Sequence, residues 1–207
     1  MIQAMTKPVT FDEFVAWYPD GKGRYELHNG VIVEMLPTGD HEEVTGFLGL
    51  SLYLEINRKE LPYFIPKTYL VKSPDWESGY QPDVIVLDWE ALETDPLWRK
   101  SATISQGLTV KLAIEVVSTN WRDDYLTKLR EYEEIGIPEY WIVDFKALGG
   151  TRYIGSPKQP SLWIYQLVEG EYQVKRFVED DRIESLAFPE LNLTARQIFK
   201  AGRIKNK

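Results

Sequence analysis

Between residues 111 and 144 the chain changes its hydrophobic period twice, and this stretch constrains the fold more than any other. Residues 111–117 (Lys-Leu-Ala-Ile-Glu-Val-Val) read as a strand. Residues 123–135 have the spacing of a charged amphipathic helix, stopped by Gly136 and Pro138. Residues 139–144 (Glu-Tyr-Trp-Ile-Val-Asp) follow as a buried strand. A strand, a helix and a strand in succession predict a right-handed crossover joining two parallel strands of one sheet.

Local signals frame this unit on both sides. Thr10-Phe-Asp-Glu13 is a capping box, Val9 and Phe14 stand as its hydrophobic staple, and Pro19-Asp20-Gly21 ends the helix. Residues 24–28 and 31–35 flank Asn29-Gly30, a strong hairpin signal. Val44, Phe47, Leu48, Leu52 and Ile56 recur at helical spacing through residues 42–57. Residues 63–71 and 83–87 read as strands, and 88–107 as a loop with a short helix. A second hairpin, 162–168 and 172–178, turns at Glu169-Gly170. Thr194-Ala-Arg-Gln197 repeats the capping box, with Leu193 and Ile198 as staple. No repeat or linker divides the 207 residues, so the expectation is one α+β domain with a hairpin on each side of the core.

Composition narrows the chemistry. The chain has no cysteine, which rules out disulfides, thiolate nucleophiles and cysteine-ligated metals. With only His28 and His41, a metal would be a hard cation held by carboxylates, so Mg²⁺ or Mn²⁺. The apolar fraction is 43% and aromatic residues are frequent (Trp 7, Tyr 12, Phe 8), enough for a sizeable core. No basic region followed by an apolar stretch opens the chain and no run spans a membrane, so a cytoplasmic protein is expected. The net charge of −8 is unlike that of a non-specific DNA binder. Lys200, Arg203, Lys205 and Lys207 concentrate positive charge locally, in what reads as a solvated tail.

Strand alternation isolates one carboxylate. In residues 111–117, Leu112, Ile114 and Val116 line the core face, while Lys111, Ala113, Glu115 and Val117 share the other. Glu115 therefore stands among small and β-branched neighbours, where a charge is costly unless a cation meets it. Asp83 follows Gln81-Pro82 at the start of a strand that could lie antiparallel beside Glu115. Asp124, Lys128 and Tyr132 are spaced by four along one helical stripe. If the helix crosses back over the sheet, Lys128 reaches the two carboxylates. Two carboxylates and an amine are the set a metal-dependent phosphodiesterase needs. The carboxylates hold Mg²⁺, and Lys128 orients or deprotonates water and offsets phosphate charge. Each residue also has a plainer reading. Asp83 could simply begin a strand, Lys128 could pair with Asp124 on a surface, His41 could cap a helix, and Glu26 could sit exposed in its hairpin.

In this order the segments resemble the PD-(D/E)xK, restriction-endonuclease-like nucleases, and more closely the Uma-two family of restriction endonucleases. The resemblance is carried by Arg24-Tyr-Glu-Leu-His-Asn-Gly30, His41 before a helix, Pro82-Asp-Val84, Glu115-Val-Val-Ser118, Asp124 with Lys128 and Tyr132, and Glu139-Tyr-Trp-Ile-Val-Asp144. It implies a restriction-endonuclease-like core over about residues 42–145, a central mixed sheet flanked by helices. Extra hairpins stand at both ends, with the C-terminal hairpin and helix in 151–207. It implies Asp83, Glu115 and Lys128 as the catalytic set, Asp83 and Glu115 as metal ligands, and Glu26, His41, Gln81, Ser118 and Asp124 as supporting contacts. DNA would be the substrate and the protein a homodimer, since duplex cleavage by this fold takes two sites. One departure is plain: Val117 occupies the usual lysine position, and the resemblance implies that Lys128 has taken over its role. Val117 and the acidic charge favour an alternative, a catalytically inactive nuclease-fold protein that binds nucleic acid or protein.

Overall fold

The computed structural model describes residues 7–19, 23–74 and 76–202. Asp20 and Gly21 of the expected helix stop, and Arg203, Lys205 and Lys207 of the basic tail, lie outside the described residues. Both capping boxes form: Thr10 and Glu13 satisfy each other at helix α1 (Phe11–Trp17). Strands β1 (Arg24–His28) and β2 (Val31–Met35) make the first hairpin, with Asn29 and Gly30 at φ 49° and 79°. Positive φ at both turn residues is what a two-residue turn between twisted strands requires. Helix α2 (Gly39–Lys59) starts earlier than its apolar period, because Thr38 caps it through the His41 amide.

The middle of the chain is built from short pieces: β3 (Tyr63–Phe64), β4 (Leu70–Lys72), β5 (Gly79–Tyr80), β6 (Val84–Asp88), α3 (Trp89–Leu92), α4 (Trp98–Ser101) and β7 (Thr103–Ile104). Then come β8 (Val110–Val116), a π-helical turn (Asp123–Lys128), α5 (Leu129–Ile135) and β9 (Glu139–Asp144). The chain closes with α6 (Thr151–Ile154), β10 (Ser161–Val168), β11 (Glu171–Phe177) and α7 (Ala195–Ala201), whose capping box is Thr194 with Gln197.

Two mixed sheets result. The larger runs β11-β10-β9-β8-β6-β3, with β8 and β9 parallel across the expected crossover and the other neighbours antiparallel. The smaller runs β2-β1-β5-β4-β7. Neither hairpin is an appendage: the C-terminal one extends the central sheet, and the N-terminal one leads the second sheet. The single strand expected over residues 63–71 is instead two, β3 in the larger sheet and β4 in the smaller. Pro66 lies between them, and proline cannot donate to a ladder. The expected loop over 88–107 holds α3, α4 and β7, pinned by buried Asp95, which accepts from the amides of Leu97, Ser105 and Gln106.

Leu112, Ile114 and Val116 of β8 pack under Val44, Leu48, Leu52 and Ile56 of α2, the core face expected from alternation. Each such side chain contributes about 1.5–3 kcal/mol on burial. The opposite face is buried too, since Ala113 and Val117 meet Ile85, Tyr132 and Tyr140. Glu115 is therefore only 3% exposed, inside the protein and not at its surface. Among the described residues no helix is long and apolar enough to cross a membrane.

Candidate active site

The site forms where the two sheets, the crossover helix and α2 meet. Alternation on β1 sends Arg24 and Glu26 from the same face of that strand. The Arg24 guanidinium reaches Asp83 (Nη1 to Oδ1, 3.0 Å) and also donates to the Gln81 carbonyl at 2.7 Å. Asp83 stands one residue before β6, and its amide donates to the Ile114 carbonyl at 3.0 Å. That register sets its side chain beside Glu115. Asp83 Oδ2 accepts from the Val116 amide (2.8 Å) and lies 3.1 Å from His41 Nε2. Because Nε2 also lies 2.9 Å from the Val116 carbonyl, its neighbours are acceptors and the proton is assigned to Nε2.

Lys128 is buried at 2% exposure, not displayed on a helix surface. Its ammonium donates to Glu26 Oε1 at 2.9 Å and to Glu115 Oε1 at 3.0 Å, with Asp124 Oδ1 at 3.9 Å. Tyr132 donates its phenol proton to Glu115 Oε1 at 3.0 Å. The helix carrying these groups begins as a π-helical turn, a distortion common at functional sites. The Asp124 carbonyl in that turn accepts from Tyr140 Oη at 3.1 Å. The stripe of Asp124, Lys128 and Tyr132 thus faces the carboxylates, as its spacing implies.

Negative charge is in excess here. Glu26, Asp83, Glu115 and Asp124 face Lys128, Arg24 and the His41 imidazole. Against the cost of burial, the hydrogen bond and charge of His41, with Arg24 and the Val116 amide, hold Asp83 below the usual carboxylate range. Lys128, His28 and the Gln81 amide likewise overcome burial to hold Glu26 low. Burial, together with the charges of Asp83, Asp124 and Glu26, pushes Glu115 well above the usual range against the pull of Lys128. Burial also lifts Asp124 to about 8. Burial would lower Lys128, but Glu115, Glu26 and Asp124 outweigh it and keep the ammonium protonated. The Lys128 ammonium thus stands as the cation among these carboxylates.

A cleft of about 460 Å³ opens onto this arrangement and is lined by Asp83, Glu115, Asp124, Lys128, His41, Gln81 and Ser118. Seven of the eight candidate residues thus share one cavity. The eighth, Glu26, is absent from the lining and is buried against Lys128. Arg24 was not singled out by sequence, although alternation with Glu26 on one strand was a usable signal. Among the described residues no three His, Cys, Asp or Glu side chains form a metal-holding group. The donor chemistry nonetheless suits a hard cation. Mg²⁺ takes one or two carboxylates and fills the rest with water or phosphate oxygen. A divalent charge would also favour the ionised form of Glu115 against the burial and the neighbouring carboxylates that raise it.

The sequence matches the Uma2 family, described as "Putative restriction endonuclease", over residues 11–196. The chain belongs to the Uma2 family. Its fold is also that of a crystal structure from Anabaena variabilis ATCC 29413, described as "a putative nuclease belonging to DUF820". The two share 17% identity with a TM-score of 0.70, covering 94% of this chain and 99% of that one. Comparison with curated proteins finds no match. In this Uma2 chain the position two residues after Glu115 is Val117, buried in the same apolar cluster as Tyr125 and Tyr132. The ammonium arrives from the crossover helix instead.

Proposed function

We propose that this Uma2 protein is a Mg²⁺- or Mn²⁺-dependent endonuclease that hydrolyses phosphodiester bonds in DNA. The observation that carries the reading is the convergence of Asp83, Glu115 and Lys128 on the floor of one cleft. Asp83 and Glu115 would hold the ion, which when bound supplies charge neutralisation and a water of lowered pKa. Arg24, His41 and the Val116 amide fix Asp83 ionised and in one orientation. Lys128 and Tyr132 orient Glu115, and the Lys128 ammonium adds a fixed positive charge where phosphate negative charge must be met. Arg24, Lys128 and Lys146 line the cleft beside Glu34, Asp83, Glu115 and Asp124, so a bound cation would supply the further positive charge that a phosphate backbone needs.

Plasmid nicking tests this directly. The full chain with Mn²⁺ converts supercoiled DNA to the nicked form, and chelator or Glu115→Ala abolishes conversion. Equal nicking by parent and variant removes the catalytic claim. A parent that neither nicks nor binds Mn²⁺ in calorimetry supports the inactive binding-module reading instead.

A further inference from the structure

A second cavity, of about 490 Å³, shares Arg24, Gln81 and Asp83 with the active-site cleft. Its apolar walls come from Tyr18 after α1 and from Ile65, Pro66 and Tyr69 between β3 and β4. The two phenol rings are held in place. Tyr69 donates its hydroxyl proton to the Pro82 carbonyl at 2.5 Å, and the Tyr18 oxygen accepts from the Tyr25 amide at 3.2 Å. Fixed, flat walls of this kind suit a planar ligand.

Charge separates this cavity from the cleft. Its charged lining groups are two cations and two carboxylates, Arg24 and Lys67 with Glu42 and Asp83. Arg24 and Asp83 already pair at 3.0 Å, and Glu42 lies 3.5 Å from His41 Nδ1. Such a balance favours a neutral group over a phosphate. Hydrogen-bonding capacity is left over, however. Gln81 is 6% exposed, and its side-chain amide nitrogen has no partner among the described residues. Thr45 Oγ1 and Arg24 Nε, on the same lining, are buried without one as well. Buried polar groups are normally paired, so three open ones around one cavity point to a ligand that pairs them.

We propose that the cavity receives one nucleobase, turned out of its stack, from the strand whose phosphate lies at Asp83 and Glu115. A base is planar and neutral, with donors and acceptors along its edge, so its face meets the rings and its edge meets Gln81 and Thr45. Asp83 borders both spaces, so the base belongs to a nucleotide beside the phosphate attacked. The inference rests on reading the cleft as a DNA site, and adds that an unpaired base is part of what is recognised.

Gly49 of α2 also borders the cavity, and a Cβ there would meet nothing within 4 Å. Gly49→Leu therefore fills cavity space, and a helix interior accepts leucine better than glycine. Gly46 is equally open but lines neither space, so Gly46→Leu is the control. Fluorescence anisotropy of a labelled DNA duplex, read in chelator so that nothing is cut, gives binding alone. A duplex with one unpaired base is expected to bind about tenfold or more tightly than the fully paired one, because no base pair has to open. Gly49→Leu erases that preference and Gly46→Leu keeps it. With iododeoxyuridine as the unpaired base, irradiation crosslinks the strand to Tyr18 or Tyr69. No binding, or equal binding of the two duplexes, overturns the proposal. So does a preference that Gly49→Leu leaves intact or that Gly46→Leu also removes. Crosslinks that map only outside the cavity overturn it too, and this arm decides the matter if Gly49→Leu does not fold. A parent that fails to nick plasmid strikes the nuclease reading alone, since neither readout here depends on cleavage.

Discussion

Lys128 sits where an unpaired ammonium would cost several kcal/mol, and Glu26 and Glu115 on two different strands, with Asp124 on its own helix, make the position tolerable. Replacing it with methionine keeps the aliphatic bulk but leaves those carboxylates buried without their cation. Lys128→Met is expected to lose about 3–5 kcal/mol of stability in urea denaturation. A loss below about 1 kcal/mol, the worth of a surface pair, would show that the ammonium is not held as described. The stripe of Asp124, Lys128 and Tyr132 was legible in sequence as direction, but not as depth. Spacing by four looks the same whether the helix faces solvent or a sheet, and burial here comes from β1 and the smaller sheet, far away in the chain. Arg24 escaped notice for a related reason. Its importance lies in reaching Asp83, 59 residues on, and alternation sets it on one face with Glu26 without naming that partner.

The helix carrying Lys128 is held at its far end by a close backbone approach. A Cβ on Gly107 would fall 2.3 Å from the Ile135 carbonyl oxygen and 2.7 Å from the Gly136 carbonyl carbon, in the turn that ends α5. Gly107→Ala must therefore push α5 away from the start of β8, at a cost of about 1–3 kcal/mol in thermal or urea unfolding. The shift would also be felt at the Lys128–Glu115 contact, so nicking should fall more than unfolding at the assay temperature explains. An alanine variant as stable as the parent would overturn that account. Elements with their own signals, the two capping boxes and the Asn29-Gly30 turn, stand where the sequence puts them. The pieces β5 and β7 have two residues each, too short for a local pattern to mark them. The same holds for the split of residues 63–71, where Pro66 was visible but the second sheet was not.

At the scale of the whole molecule the site doubles as the seam between two sheets, so its charge balance bears on global stability. Asp124 ordinarily titrates near 3.8, and burial lifts it to about 8 in the folded chain. A group raised in this way contributes stability that is fully present below its unfolded value and is lost as pH rises toward its folded value. Glu115 is raised in the same direction, mainly by burial. His41 is raised too, its hydrogen bond and charge contact with Asp83 outweighing the opposite effect of burial. Melting temperature measured in chelator is therefore expected to fall between about pH 5 and pH 8. Asp124→Asn, whose amide cannot ionise, should show a shallower fall. Mn²⁺ competes with protons for such carboxylates, so it should raise the melting temperature more at pH 8 than near pH 5. A melting temperature that climbs with pH in chelator would mean that the excess of buried negative charge is not there. If Mn²⁺ has no effect at either pH, the proposal that Asp83 and Glu115 hold the ion falls.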